Sequence, residues 1–142
     1  MSEIDQLVDT LREAFFALRG LSTRLLSDLD CTPVERGVLA ELGKHGPRPV
    51  PVMARSRSIS RQAMQKTVDA MIARRWLHTE ANPEHARSQL IALTPTGAKL
   101  WSAIRARESA VLTGRQLPVS AGELARAAAV LAKLAPFFEE LT

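Results

Sequence analysis

A chain of 142 residues that is 46% apolar and 24% charged has the length of one ordinary domain and the composition of a soluble globular protein, not a disordered one. No apolar run approaches the ~20 residues a membrane span needs. The acidic start Met1-Ser-Glu-Ile-Asp5 is not a secretory signal, and a single cysteine, Cys31, excludes a disulfide framework, so the cytoplasm is the expected compartment. The net charge of +4 is unevenly spread: residues 44–90 carry nine Lys and Arg against three acids, whereas residues 1–43 carry four Arg against eight acids. A basic middle third is the electrostatic footprint expected of a nucleic-acid reader, although on charge alone a solvated basic surface is an equal reading.

The first segment reads as one long helix. Ile4, Leu11, Leu18 and Leu25 recur every seven residues, and Leu7, Ala14 and Leu21, with Val8 and Phe15 beside them, complete an apolar stripe. Gly20 weakens it, and Asp28 to Cys31 end it. Thr32-Pro33-Val34-Glu35 is a capping box with proline at the first helical position. Val34, Val38, Leu39 and Leu42 form the buried face of the helix it opens, and Gly43 and Gly46 are expected to close it.

Pro47 to Pro51 is a stiff extended connector, because each proline pushes its predecessor out of the helical region. A short helix over 51–57 and a tight turn at Ser58-Ile59 follow. Ser60 is an N-cap for a helix over 61–74 that buries Met64, Val68, Met71 and Ile72. The period then changes. Residues 76–81 and 89–93 are strands joined by the polar loop 82–88 as a hairpin. Thr94-Pro95 opens a helix through Leu100, Ile104, Val111 and Leu112, and Pro118 breaks the chain. Ser120 to Glu123 is another capping box, heading a helix with Leu124, Leu131 and Phe138 at seven-residue spacing, which Pro136 is expected to kink or interrupt.

Two helices joined by a tight turn and followed by a hairpin make a helix-turn-helix with a wing. With Met64, Val68 and Met71 inside, Gln62, Lys66 and Asp69 point out, flanked by Arg61 and Gln65. A recognition helix inserts its N-terminal residues into the major groove, where Arg matches guanine and Gln matches adenine. Ser60 and the free amides beside it suit a phosphate. Arg55 and Arg57 are placed to hold the DNA backbone, and Arg87 on the hairpin loop to reach the minor groove or a phosphate. Asp69 reads as a solubilising or Arg-orienting residue rather than a cytosine contact.

The stretch from Val52 to Leu77, with Ser60-Arg-Gln-Ala-Met-Gln-Lys-Thr-Val-Asp69 at its centre, resembles the helix-turn-helix of the MarR family. Asn82-Pro-Glu, Leu90-Ile-Ala-Leu-Thr-Pro-Thr-Gly97 and Thr32-Pro33 are similar to that family's wing, its exit into the next helix and its second-helix cap. The resemblance implies a mainly α fold with a small β-wing, a winged helix-turn-helix with N- and C-terminal dimerisation helices. It covers residues 1–142 as one domain: 1–30 and 120–142 dimerise, 32–93 bind DNA and 94–113 connect. It further implies a homodimer on a palindromic operator in double-stranded DNA, acting as a repressor and relieved by a small aromatic effector or a thiol oxidant. No residue pattern marks an effector site. The chain departs from the family pattern at four places. His85-Ala86 replace an Asp-Arg pair in the wing. Ser58 and Arg75 stand where glycines are usual, and Pro49-Val-Pro51 replaces a Ser/Thr cap.

The remaining residues add no second chemistry. Cys31 is a candidate redox switch or a small buried hydrophobe. His45, His78 and His85 lack metal-site spacing, so no metal or cofactor is expected. Trp76 anchors the first wing strand; with Trp101 it would otherwise line a ligand pocket. No nucleophile elbow, P-loop or zinc-protease motif is present, so the chain does not read as an enzyme. Two other functions use the same surface: a winged-helix module for an acidic protein partner, and a weakly specific architectural DNA binder.

Overall fold

In the computed structural model, which describes residues 1–142, the long helices begin at side-chain caps. Ser2 Oγ accepts from Asp5 N at 3.3 Å, and Asp5 Oδ2 accepts from Ser2 N at 2.9 Å, opening α1 (Glu3–Leu26). Thr32 and Glu35 make the same reciprocal pair at 3.1 and 3.0 Å for α2 (Pro33–His45). Ser120 and Glu123 make it for α6 (Ala121–Glu140). Each box satisfies two amides that a helix start otherwise leaves bare. Between them lie α3 (Val50–Ser56), α4 (Arg61–Ala73), the strands β1 (Leu77–Glu80) and β2 (Leu90–Leu93), and α5 (Pro95–Thr113).

Three expectations change. Gly43 does not end α2; it lies inside the helix because a Cβ there would sit 2.6 Å from the Trp101 indole. Gly46, with φ of 79°, ends it and donates its amide to Leu42 O. Val34 is only half-buried, and Glu35, Gly37 and Glu41 join Val38, Leu39 and Leu42 on the inner face. Pro136 does not interrupt α6, which runs on to Glu140. Proline removes one backbone donor, a single bond close to where the helix would end in any case.

Residues 1–108 and 109–142 form two compact units. The first holds the core, with Leu26, Val38, Leu39, Met53, Met64, Val68, Met71, Leu77 and Ile104 fully buried. The wing is an antiparallel pair in which Leu77 faces Leu93 and Thr79 faces Ile91. The connector before α3 joins it: Arg48 and Ile91 exchange backbone hydrogen bonds of 3.0 and 2.8 Å, so the rigid proline-flanked segment ties α2 to the wing. In the second unit α6 has no buried residue; it exposes Leu124, Val130, Leu131 and Phe137, and Leu141 just after it is exposed as well. On α1 the same holds for Ile4, Phe15, Phe16 and Leu18; only Leu26 is buried.

The two turns that frame α4 share one geometry. After α3, Ile59 N donates to Ala54 O and Ser58 N to Arg55 O, both at 3.1 Å. After α4, Trp76 N donates to Met71 O at 3.0 Å and Arg75 N to Ile72 O at 2.9 Å. These are Schellman caps, which place one residue in the left-handed region, usually glycine. Here those residues are Ser58 (φ 53°) and Arg75 (φ 62°). A side chain in that region costs about 1–2 kcal/mol, partly offset by glycine's greater freedom in the unfolded chain. Ser58→Gly and Arg75→Gly are therefore each expected to stabilise the protein, by about 0.5–1 kcal/mol. Urea unfolding measures this; a loss of stability in both variants would contradict it.

Candidate nucleic-acid interface

The helix α4 is held from one side only. Met64, Val68 and Met71 are buried against the core, and Ser60 Oγ accepts from Ala63 N at 3.0 Å to fix the first turn. At 100° per residue, Arg61, Gln62, Gln65, Lys66 and Asp69 then span an outward arc of about 140°. All five are exposed. One flank of the arc faces the wing. Arg61, Gln62, Gln65 and Asp69 line an open cleft whose opposite wall includes Thr79, Arg87 and Gln89. On the other flank, Ser60 and Lys66 share a shallow depression with Gln62 and Gln65. The fold thus gathers Ser60, Arg61, Gln62, Gln65, Lys66 and Arg87 around one helix. The residues that the sequence did not single out here are Thr79 and Gln89. Their position follows from the hairpin register, which no local pattern reveals.

The basic middle third divides into two groups. Arg48 bonds Glu41 Oε1 at 3.2 Å, Arg57 Nε lies 4.0 Å from Glu41 Oε2, and Arg74 pairs with Glu35 at 3.2 Å and Asp30 at 3.7 Å. Lys44, Arg55, Arg61, Lys66, Arg75 and Arg87 make no ion pair. Arg55 is exposed on α3, outside the cleft. Arg57, although exposed, is held by contacts to α2. Its guanidinium donates to Gly37 O, and a Cβ on Gly37 would lie 2.8 Å from that guanidinium, so a glycine makes room for it. Glu41 is buried and also accepts from Ser56 Oγ at 2.6 Å, while its Oε2 has no hydrogen bond. Arg57→Ala removes the second donor to Gly37 O and weakens the hold on Glu41. It is expected to cost about 1–3 kcal/mol of stability, measurable by thermal melting; an unchanged melt would show that Arg57 is not part of the scaffold.

At the other end of α4, the Arg74 guanidinium lies 3.5 Å from the Trp76 ring centroid while it pairs with Glu35. The other oxygen of Glu35 closes the α2 cap, so one carboxylate ties the C-terminal end of α4 to the start of α2. Trp76 is buried at the root of the wing, as an anchor should be. Trp101 is half-buried on α5 beside Gly43, with Arg36 at 5.2 Å from its ring. Cys31 is buried near Glu35 and Arg74. Burial first, then the nearby Glu35 charge, push its thiol up to about 11, so the reactive thiolate is scarce at neutral pH.

No helix is long and apolar enough to cross a membrane. No curated protein matches the chain in sequence. The sequence model of the MarR family matches residues 29–88, which include α2, α3, α4 and β1. Among solved structures, the MarR family transcription regulator SP03579 is 27% identical, with a TM-score of 0.77 over 98% of this chain and 94% of that one. RV1404 from Mycobacterium tuberculosis is 22% identical at a TM-score of 0.75, covering 96% of both chains. Apo MarR from E. coli is 19% identical at 0.70, covering 96% of this chain and 99% of its own. The last two likenesses speak to fold alone. By its sequence over residues 29–88 this chain is similar to the MarR family, and over nearly its whole length it has the winged helix-turn-helix fold of the MarR family transcription regulator SP03579.

Proposed function

We propose that the protein is a homodimeric repressor that reads a palindromic operator and releases it when a small-molecule effector binds. One observation carries the DNA-reading part: the outer arc of α4 holds Arg61, Gln62, Gln65 and Lys66, exposed, with both cations unpaired, while the paired Arg57 and Arg74 serve the scaffold. The N-terminal turn of α4 leaves the Arg61 and Gln62 amides for a phosphate, because Ser60 satisfies those of Ala63 and Met64. Ser60 and these amides position the helix; Arg61, Gln62 and Gln65 face base edges; Lys66, Arg55 and Arg87 neutralise phosphates. Arg57 acts on DNA only through the turn it braces.

Dimerisation is supported by apolar surface without cover. Phe15, Phe16 and Leu18 on α1 are more than half exposed, and α6 exposes four large apolar side chains. We assign residues 1–30 and 120–142 to the dimer interface, with 32–93 as the DNA-binding region and 94–113 as the connector of a single MarR-like domain. Two-fold symmetry of the protein then selects two-fold symmetry in the site, with half-sites about one helical turn, ~34 Å, or a multiple of it apart. An effector acts only if it binds one spacing of the two heads better than another. A cytoplasmic, non-catalytic role accords with this reading.

Selection of duplexes from a random library by the purified protein, at near-physiological salt, tests it. Enrichment of a symmetric site is the expected result. Retention of DNA without a motif would replace the reading with an architectural binder, and no retention would replace it with a protein-interaction module.

A further inference from the structure

Asp69 is out of place on a surface meant for DNA. It sits one turn along α4 from Gln65, exposed, on the arc that also carries Arg61 and Lys66, where a carboxylate repels phosphates. Its hydrogen bond explains it. Gln65 Nε2 donates to Asp69 Oδ1 at 2.8 Å. A carboxylate ionised at neutral pH only accepts hydrogen bonds, so the amide has one possible orientation: nitrogen toward Asp69, carbonyl Oε1 away from it. A glutamine amide carries two N–H groups. Giving one to Asp69 leaves the other beside Oε1, so a donor and an acceptor remain side by side in a fixed order.

Resting on the DNA-reading function proposed above, we infer that Asp69 is a positioning residue that locks Gln65 as an adenine reader. Adenine presents an N7 acceptor and an N6 donor in the major groove, which match that donor–acceptor edge. Guanine presents two acceptors, N7 and O6, and sets one of them against Oε1. A glutamine free to turn would swing its NH₂ toward guanine and carry the carbonyl away. Asp69 prevents the turn, so discrimination between the purines comes from a pair of residues, of which one touches the base.

The test compares wild type, Gln65→Ala, Asp69→Asn and Asp69→Glu in library selection, followed by competition between duplexes differing at single positions. Asparagine both donates and accepts, so Asp69→Asn keeps the shape and removes the constraint. Wild type is expected to prefer adenine over guanine about tenfold or more at one position in each half-site. Gln65→Ala and Asp69→Asn should reduce that ratio to about threefold or less without altering preferences elsewhere, and Asp69→Glu should restore it. Removing the negative charge raises affinity for all sequences alike, so a uniform change in Asp69→Asn with the ratio intact overturns the inference. So does an adenine preference that survives Gln65→Ala. If wild type itself enriches no site, the DNA-reading function fails, a result distinguishable from either of these.

Discussion

Gly97→Ala is expected to destabilise the protein by about 3 kcal/mol, toward the upper end of what a forced steric insertion costs. Gly97 lies in the first turn of α5 and is buried. A Cβ there would lie 2.0 Å from Trp76 O, 2.9 Å from Trp76 C and 3.3 Å from Trp76 Cα. These are backbone atoms, so no rotamer change relieves the overlap and one element must move. The elements are pinned: Thr94 N donates to Trp76 O at 3.0 Å, Thr94 Oγ1 lies 2.6 Å from Arg75 O and 3.1 Å from Trp76 O, and Gly97 N donates to Thr94 Oγ1 at 3.0 Å. Moving α5 away breaks this set and unseats Trp76, the root of the wing. Gly43 offers the comparison, because the nearest atoms its added Cβ would meet belong to the side chain of Trp101, not to backbone. Thermal unfolding followed by circular dichroism measures both. A change below about 1 kcal/mol for Gly97→Ala, an ordinary surface-like effect, would show that α5 shifts freely over the wing.

The double variant Arg61→Ala, Lys66→Ala is expected to bind its selected duplex about a hundredfold more weakly at near-physiological salt, because each protomer then lacks two charge-assisted hydrogen bonds to DNA. Its folding stability should stay within about 0.5 kcal/mol of wild type, since neither cation is paired in the fold. The salt dependence separates phosphate neutralisation from base reading. Each phosphate left without its cation lowers the slope of log K against log[salt] by about 1. The proposed dimer would present both residues twice, so a slope reduction of about 4 means that both meet phosphates, and about 2 that one reads a base. Titrations at several salt concentrations give the slope. Unchanged affinity would remove α4 as the DNA-binding element. Arg57→Ala is the useful counterpart, because it should lose stability with little change in slope.

Local elements are legible in the sequence because their signals are local. Thr32 and Glu35, or Ser120 and Glu123, cap a helix through hydrogen bonds three residues apart, and proline at 33 and 95 needs no partner elsewhere. The tight turn at Ser58-Ile59 is legible in the same way; that Ser58 and Arg75 stand where glycine is usual comes from the resemblance to the MarR family, and the structure gives the reason in their left-handed backbone. The outward arc of α4 follows from helical periodicity once Met64, Val68 and Met71 are assigned inside. Gly43 is the counterexample: a glycine needed for close packing on Trp101 looks the same in sequence as one that ends a helix.

Caps, periodicity and charge depend on neighbours along the chain, so the order of helices, the wing, the basic middle third and the polar face of α4 are all written in the sequence. Which cations are available to a partner is not; packing settles it. Arg55 and Arg57 are two residues apart and chemically identical, yet Glu41 and the Gly37 carbonyl, contributed by another helix, hold the guanidinium of the second, while the first makes no ion pair. An ion pair is short-ranged and indifferent to sequence separation, so only the fold that brings the partners within a few ångströms distinguishes a paired arginine from an unpaired one.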